Sequence, residues 1–226
     1  MQKTWLPLLG FVLALTGRTD AGQNQLAVKV HGLQPVVSPT QSVRLVAKAS
    51  WGGPKAELRY SWRAVGRSDA LPYDHPRDTA ELVLPAEGLA PGEHYELEVE
   101  VVARYHDPKV DPPEQEVRAT SVVSFDVNAP PEGGRCELEV TWQGKAGAHL
   151  VVSAPDWKDD RDARLQYQFT VLRNDERAAF EHWSHKTKVV VPLVAKPGDT
   201  LRAHCAVRDG LGDASEADSK SATRPQ

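Results

Sequence analysis

Residues 95–104, YELEVEVVAR, decide the fold of this chain. Apolar side chains occupy every second position of this stretch, and glutamate or arginine fills most of the positions between them. Because successive side chains of a β-strand point to opposite faces, the pattern predicts a strand that is buried on one side of an antiparallel sheet. The same alternation recurs at residues 43–49 and 58–64, so the 226-residue chain is predicted to be all-β.

Short strand-like runs follow one another along the rest of the chain, separated by turns rich in proline, glycine and aspartate. Residues 176–185 are the only segment whose pattern permits a turn of helix. The remaining predicted strands are residues 26–30, 80–84, 117–127, 136–142, 149–154, 165–173, 188–193, 200–208 and a short run near 214–221.

The two halves of the chain repeat each other. LRYSW at residues 58–62 corresponds to LQYQF at residues 165–169, and a proline–glycine pair follows each of them, at residues 91–92 and 197–198. Several short strands in about 100 residues are typical of an immunoglobulin-like sandwich. The repeat therefore predicts two tandem immunoglobulin-like antiparallel β-sandwiches, of the fibronectin type III or PKD kind. A chance similarity between β-rich sequences is the alternative.

The boundary between the halves is predicted at NAPPEGG, residues 128–134, because this stretch has no apolar periodicity. We assign residues 24–128 to the first sandwich, residues 129–134 to a linker and residues 135–223 to the second sandwich.

The N-terminus has the pattern of a secretory signal. Lys3 supplies a positive charge, residues 5–15 form an apolar run too short to cross a bilayer comfortably, and Thr19 and Ala21 are small residues at −3 and −1 of a cleavage site. We predict a signal peptide over residues 1–21 and an exported mature protein, periplasmic or secreted, with no transmembrane segment. An uncleaved anchor is the alternative.

The sequence contains two cysteines, Cys136 and Cys205, and each lies on a row of apolar residues that is predicted to face inward. Oxidation is favourable in an exported protein, so we predict that they form a disulfide. Two unpaired buried thiols are the alternative.

Three strings in the second half resemble the receptor-for-egg-jelly (REJ) module of polycystin-related ectodomains. They are PPEGGRC at residues 130–136, DWKD at residues 156–159 leading into LQYQF, and VRDGLG at residues 207–212. The first half resembles the PKD-type or fibronectin-type sandwich of the same ectodomains, although the glycine-rich PKD signature is absent. The resemblance implies an extracellular scaffold or adhesion module.

No common catalytic string is present, such as a nucleophile elbow, a zinc-protease helix motif or a phosphate-binding loop. The net charge of −4, without a basic arm, argues against a nucleic-acid partner. We predict no cofactor and a non-catalytic binding, adhesion or structural module with a protein or cell-surface partner. A secreted or periplasmic carbohydrate-binding or hydrolase accessory protein is the alternative.

The candidate binding surface comprises His182, Trp183, His185 and, elsewhere in the chain, Trp51. On a helical turn the two imidazoles would share a face and could hold zinc, but no third ligand is near in sequence. An exposed aromatic loop is therefore the favoured interpretation of this cluster.

Two acidic patterns complete the candidates. Residues 156–162, DWKDDRD, hold four carboxylates that could bind calcium, but Lys158 and Arg161 can neutralise the same groups. We predict a metal-free turn in which Trp157 is a core plug. The row Glu96, Glu98 and Glu100 is predicted to keep a sheet face solvated, with a basic partner as the alternative.

Overall fold

The computed structural model describes residues 13–15, 24–65, 77–144, 147–161 and 164–225. The described residues form β-strands and one short 3-10 turn at Ala86–Gly88, and no α-helix occurs among them. The fold is therefore all-β, as predicted. The chain divides into two compact units, Met1–Val127 and Asn128–Gln226.

The first unit has one sheet ordered β1-β8-β7-β5, with β3 parallel to β8, and a second sheet ordered β2-β4-β6. Its strands are β1 (Leu13–Leu15), β2 (Leu26–His31), β3 (Val36–Val37), β4 (Val43–Trp51), β5 (Ala56–Ala64), β6 (Glu81–Leu84), β7 (His94–His106) and β8 (Glu114–Val127).

The core of this unit lies between its two sheets. On β7, Leu97, Val99 and Val101 are fully buried, as the alternation in YELEVEVVAR predicts. Trp62 of β5 is 2% exposed, and its indole N–H donates to the carbonyl of Thr79 at 3.0 Å. The largest ring of the core is therefore hydrogen-bonded as well as packed.

The second unit has one sheet ordered β9-β10-β13 and another ordered β12-β11-β14-β15, with β16 paired to β14. Its strands are β9 (Glu137–Gln143), β10 (Gly147–Ser153), β11 (Gln166–Arg173), β12 (Glu176–Ser184), β13 (Lys188–Val194), β14 (Thr200–Arg208), β15 (Ala214–Asp218) and β16 (Ala222–Thr223).

The two units share one topology. When β1, β3, β12 and β16 are set aside, the first, second and fourth strands of each unit form one sheet, and the third, fifth and sixth form the other. This common order explains why LRYSW and LQYQF correspond, since LRYSW lies on β5 and the last four residues of LQYQF lie on β11, the equivalent strand. The second unit differs by adding β12 to the edge of that strand.

One expectation is corrected. Residues 176–184 form strand β12 and not a turn of helix, because their backbone pairs with β11. In the segment 129–134, for which we predict a linker, Pro131 is buried and Glu132 forms an isolated bridge with Lys158.

The predicted signal peptide, residues 1–21, lies outside the described residues except for β1. That strand pairs antiparallel with residues 120–122 of β8. No helix in the described part of the chain is long and apolar enough to cross a membrane.

Candidate functional site

The structure joins Cys136 and Cys205 in a disulfide, the pair that the sequence predicts. Cys136 directly precedes β9 and Cys205 lies on β14, so the bond connects the two sheets of the second unit. Both residues belong to the buried core, and their Cα atoms are 5.5 Å apart. The bond is therefore an internal staple of the sandwich.

The strings PPEGGRC and DWKD meet in space. The amide of Glu132 donates to the carbonyl of Lys158 at 2.9 Å, and the reverse bond is 3.0 Å. The ring of Trp157 lies directly over Gly134, where a Cβ atom would come within 2.2 Å of the indole. Position 134 therefore requires glycine, and Trp157 packs against the core as the predicted plug.

The string VRDGLG builds a buried polar latch. Asp209 Oδ1 accepts from the backbone amides of Leu211 and Gly212, both at 2.8 Å, which fixes the turn before β15. The side-chain amide of Asn128 donates to Asp209 at 2.5 Å and to Asp213 at 2.7 Å. Asp209 of this string and Asp213 thus hold Asn128, the first residue of the second unit, to the turn between β14 and β15.

The acidic loop at residues 156–162 is largely occupied by cations and backbone. Arg135 binds the carboxylate of Asp156, and Asp159 accepts from the amide of Arg161 at 2.9 Å. Asp160 lies 3.7 Å from the Arg161 guanidinium. Asp162 is outside the described residues, among which no group of three or more His, Cys, Asp or Glu is arranged to hold a metal.

Two members of the glutamate row on β7, Glu98 and Glu100, are paired with arginines from the neighbouring strands. Glu98 lies 2.6 Å from Arg63, and Glu100 lies 3.2 Å from Arg118. Arg118 also contacts Glu116, and a hydrogen bond from Arg104 lowers the pKa of the Glu116 carboxyl. These arginine–glutamate pairs form an ion-pair ladder on the outward surface of the sheet.

Strand β12 carries a bulge at the candidate residues. Tyr167 of β11 pairs with Ser184, whereas Phe169 pairs with Glu181, so His182 and Trp183 together oppose the single residue Gln168. A bulge re-aims side chains at the edge of a sheet. This irregularity sets the position of both candidate residues.

Trp183 lies beneath the guanidinium of Arg208, which is 4.4 Å from the ring centroid. Arg208 also donates to Gln166 at 2.9 Å. His182 contacts Phe180 edge to face at 5.2 Å. His185 instead donates to the backbone carbonyl of Leu165 at 2.8 Å, so the helical turn that would pair the two imidazoles does not form.

Trp51 belongs to a different environment. It ends β4 in the first unit, packs on Tyr105 at 5.3 Å, and donates its indole N–H to the carbonyl of Pro54 at 2.6 Å. Its ring is therefore engaged in packing within the first unit, whereas the other three candidates belong to the second unit.

The strand pairing gathers a set of polar and aromatic side chains on the outward side of the four-stranded sheet, which we call the aromatic face. Phe180, which is 39% exposed, and Arg177, 5.6 Å from its ring, lie on it. Sequence reasoning missed both because β12 was not predicted as a strand. The members of the aromatic face are Gln166, Gln168, Thr170, Arg177, Phe180, His182, Trp183 and Arg208.

Two cations on the same side of this sheet are paired with carboxylates. Arg202 lies 3.2 Å from Asp175, and His204 lies 2.9 Å from Asp218 and 3.5 Å from Glu216. Leu172 pairs with both Arg202 and Arg177, so these ion pairs adjoin the aromatic face.

These features define a disulfide-bridged, all-β protein with immunoglobulin-like sandwich architecture. The model of the REJ domain family matches residues 14–218, and the chain belongs to that family. The match extends over both units, whereas the resembling strings lie in the second alone. No curated protein matches the chain in sequence.

Among solved structures, the chain is similar to a bacterial ice-binding adhesin of 1.5 MDa studied for its retention on the host cell surface. The TM-score is 0.51 at 11% identity, covering 91% of this chain and 66% of that one, which shows the fold alone. It is also similar to titin domains A168–A170, with a TM-score of 0.43 at 10% identity, covering 95% of this chain and 68% of that one.

Proposed function

We propose that this protein is a non-catalytic extracellular module that binds a protein or cell-surface partner through the aromatic face. Membership of the REJ family, the sandwich fold and the internal disulfide support an extracellular structural or adhesive role. Function in such folds resides in grafted surfaces and not in the sandwich itself. A surface that binds a partner would therefore be formed by exposed side chains.

The observation that carries this proposal is the stacking of Arg208 on Trp183 beside the exposed ring of Phe180. Tryptophan and arginine are the residues that most often dominate the binding energy of protein interfaces. The bulged edge strand aims Trp183 away from the core, and the pairing of β14 with β11 brings Arg208 to its ring. The arrangement gives the second unit an anchor for a partner.

Export is part of the same proposal. A signal peptide over residues 1–21 would deliver the chain to the periplasm or the exterior, where the Cys136–Cys205 bond is stable. Two sandwiches, at residues 24–128 and 135–223, would then stand as successive extracellular domains.

The proposal is tested by site-directed photo-crosslinking in the full chain. A crosslinking amino acid replaces Gln168, opposite the bulge, and in a matched control it replaces Val190, which is exposed on the other sheet of the same unit. We expect adducts with extracellular material from position 168 that disappear in the Trp183→Ala background. Equal adducts from both positions, or adducts insensitive to Trp183→Ala, contradict the proposal.

A second candidate is a carbohydrate-binding or hydrolase accessory role. Two aromatic side chains, Phe180 and Trp183, lie on one outward face, and sugars stack on such rings. Binding on a glycan array that is lost in Trp183→Ala would favour this candidate over a protein partner.

A further inference from the structure

Resting on the function proposed above, we infer that the occupant of the aromatic face is an acidic protein segment whose carboxylates are bound by Arg208 and Arg177. Its apolar side chains would pack on Trp183 and Phe180. The inference comes from the charges that the fold leaves unmatched on this face.

Arg208 is held in place without a carboxylate. Its Nε donates to the amide oxygen of Gln166, and its guanidinium lies on the Trp183 ring. Neither of these two groups carries a negative charge. A guanidinium that lies on an aromatic ring still has N–H groups that can donate to another planar group. A carboxylate can accept two parallel hydrogen bonds from these N–H groups.

Arg177 repeats the arrangement at the edge strand. It is exposed, it lies 5.6 Å from the centroid of Phe180, and within the described part of the chain it has no ion-pair partner. Arg208 and Arg177, each close to an aromatic ring, thus lie on one face of the sheet.

The carboxylates of β12 point to the other side of the sheet. Register pairs Arg177 with Leu172 and Phe180 with Thr170, whose side chains face outward. Glu176 and Glu181 pair with Arg173 and Phe169 instead, and Phe169 is buried in the core. Since successive side chains alternate, these glutamates leave the aromatic face.

Another arginine on this side of the sheet is already paired. Arg202 of β14 is 3.2 Å from Asp175 of the β11–β12 turn and 3.8 Å from Asp218. An acidic segment would therefore be bound by Arg208 and Arg177 rather than by Arg202. Complementary charge of this kind selects the partner and speeds its association.

The test measures binding of the full chain to an immobilised random glutamate–tyrosine copolymer, with polylysine and heparin in parallel. Arg208→Gln and Arg177→Gln are the test variants. Arg118→Gln, which removes an arginine from the ion-pair ladder of the first unit, is the matched control. Far-ultraviolet circular dichroism establishes that each variant is folded, and Arg208→Lys keeps the charge but not the fork.

We expect the copolymer to bind the wild type and the control equally and each test variant about tenfold more weakly, as for an interface anchor. Arg208→Lys should recover part of the binding, which a merely structural role would not produce. Absence of copolymer binding, equal weakening by Arg118→Gln, or tighter binding of heparin than of the copolymer overturns the inference. If the chain with the crosslinker at position 168 and an intact Trp183 formed no adducts, the proposed function would be refuted separately, because crosslinking does not depend on the charge of the partner.

Discussion

Removal of the disulfide should destabilise the second unit selectively. The bond closes a loop with a sequence separation of 69 residues that contains β9 to β13 and most of β14. In the chain-entropy model, a closed loop of about 70 residues stabilises the native state by about 4 kcal/mol. Because about 1.4 kcal/mol corresponds to a factor of ten, the open fraction of this unit should rise by about three orders of magnitude.

Hydrogen exchange with mass spectrometry resolves the effect along the full chain. The perturbation is the double variant Cys136→Ser/Cys205→Ser, compared with the oxidised wild type. Peptides from β11 and β14 should lose up to about three decades of protection. Peptides from β7 and β8 serve as the internal reference, because no cysteine lies in the first unit.

Two results would refute this reasoning. Unchanged protection in β11 and β14 would mean that the bond adds nothing to a sandwich already held by its core. Equal loss in β7 and β8 would mean that the two units unfold as one cooperative body.

Four further outcomes are expected. Gly134→Ala should destabilise the protein by about 1–3 kcal/mol in urea, because the added methyl meets an indole ring, whereas Gly210→Ala, with nothing within 4 Å, should be close to neutral. Asn128→Ala should cost about 3 kcal/mol by the same measurement, since two buried carboxylates lose their shared donor. Millimolar calcium should leave the thermal midpoint unchanged; a rise of several degrees that Asp160→Ala abolishes would show a calcium site. Hydrogen bonds from the backbone amide of Lys196 and the side-chain amide of Asn174 lower the pKa of Asp199. Its contribution to stability is therefore complete above the ordinary carboxyl pKa and is lost as the pH falls through the lowered value. In Asp199→Asn, the stability measured by unfolding should fall less steeply with decreasing pH in the acid range.

The strands of the first unit were predictable because their burial is one-sided. On β7 every second residue enters the core, so the period of two in the sequence survives directly in the structure. The predicted and observed bounds of β14 coincide at Thr200–Arg208 for the same reason.

Strand β12 and residues 128–134 owe their structure to something other than periodicity. β12 lies at a sheet edge and contains a bulge, so ERAAFEHWS does not alternate. Residues 128–134 are held by a glycine beneath a ring and by the amide of Asn128, and neither leaves an apolar pattern.

The candidate site was predicted in part. His182 and Trp183 were found from composition, because exposed aromatic residues are conspicuous in a polar segment. Arg208 was missed because it is 25 positions from Trp183 in the chain and is brought to it by the pairing of β11 with both β12 and β14. Register between strands is set by the whole sandwich and cannot be read from either segment alone.

The position of the disulfide also determines how the second unit would respond to mechanical tension. If the chain were pulled from its ends, the covalent bond between Cys136 and Cys205 would transmit the force, and the residues between the two cysteines would not be stretched. At about 3.5 Å per extended residue, roughly 240 Å of contour length would stay locked even after the strands separated. A sandwich built this way would lengthen under tension only through the residues outside the bond, those before Cys136 and those after Cys205, and would extend far less than a sandwich without the bond.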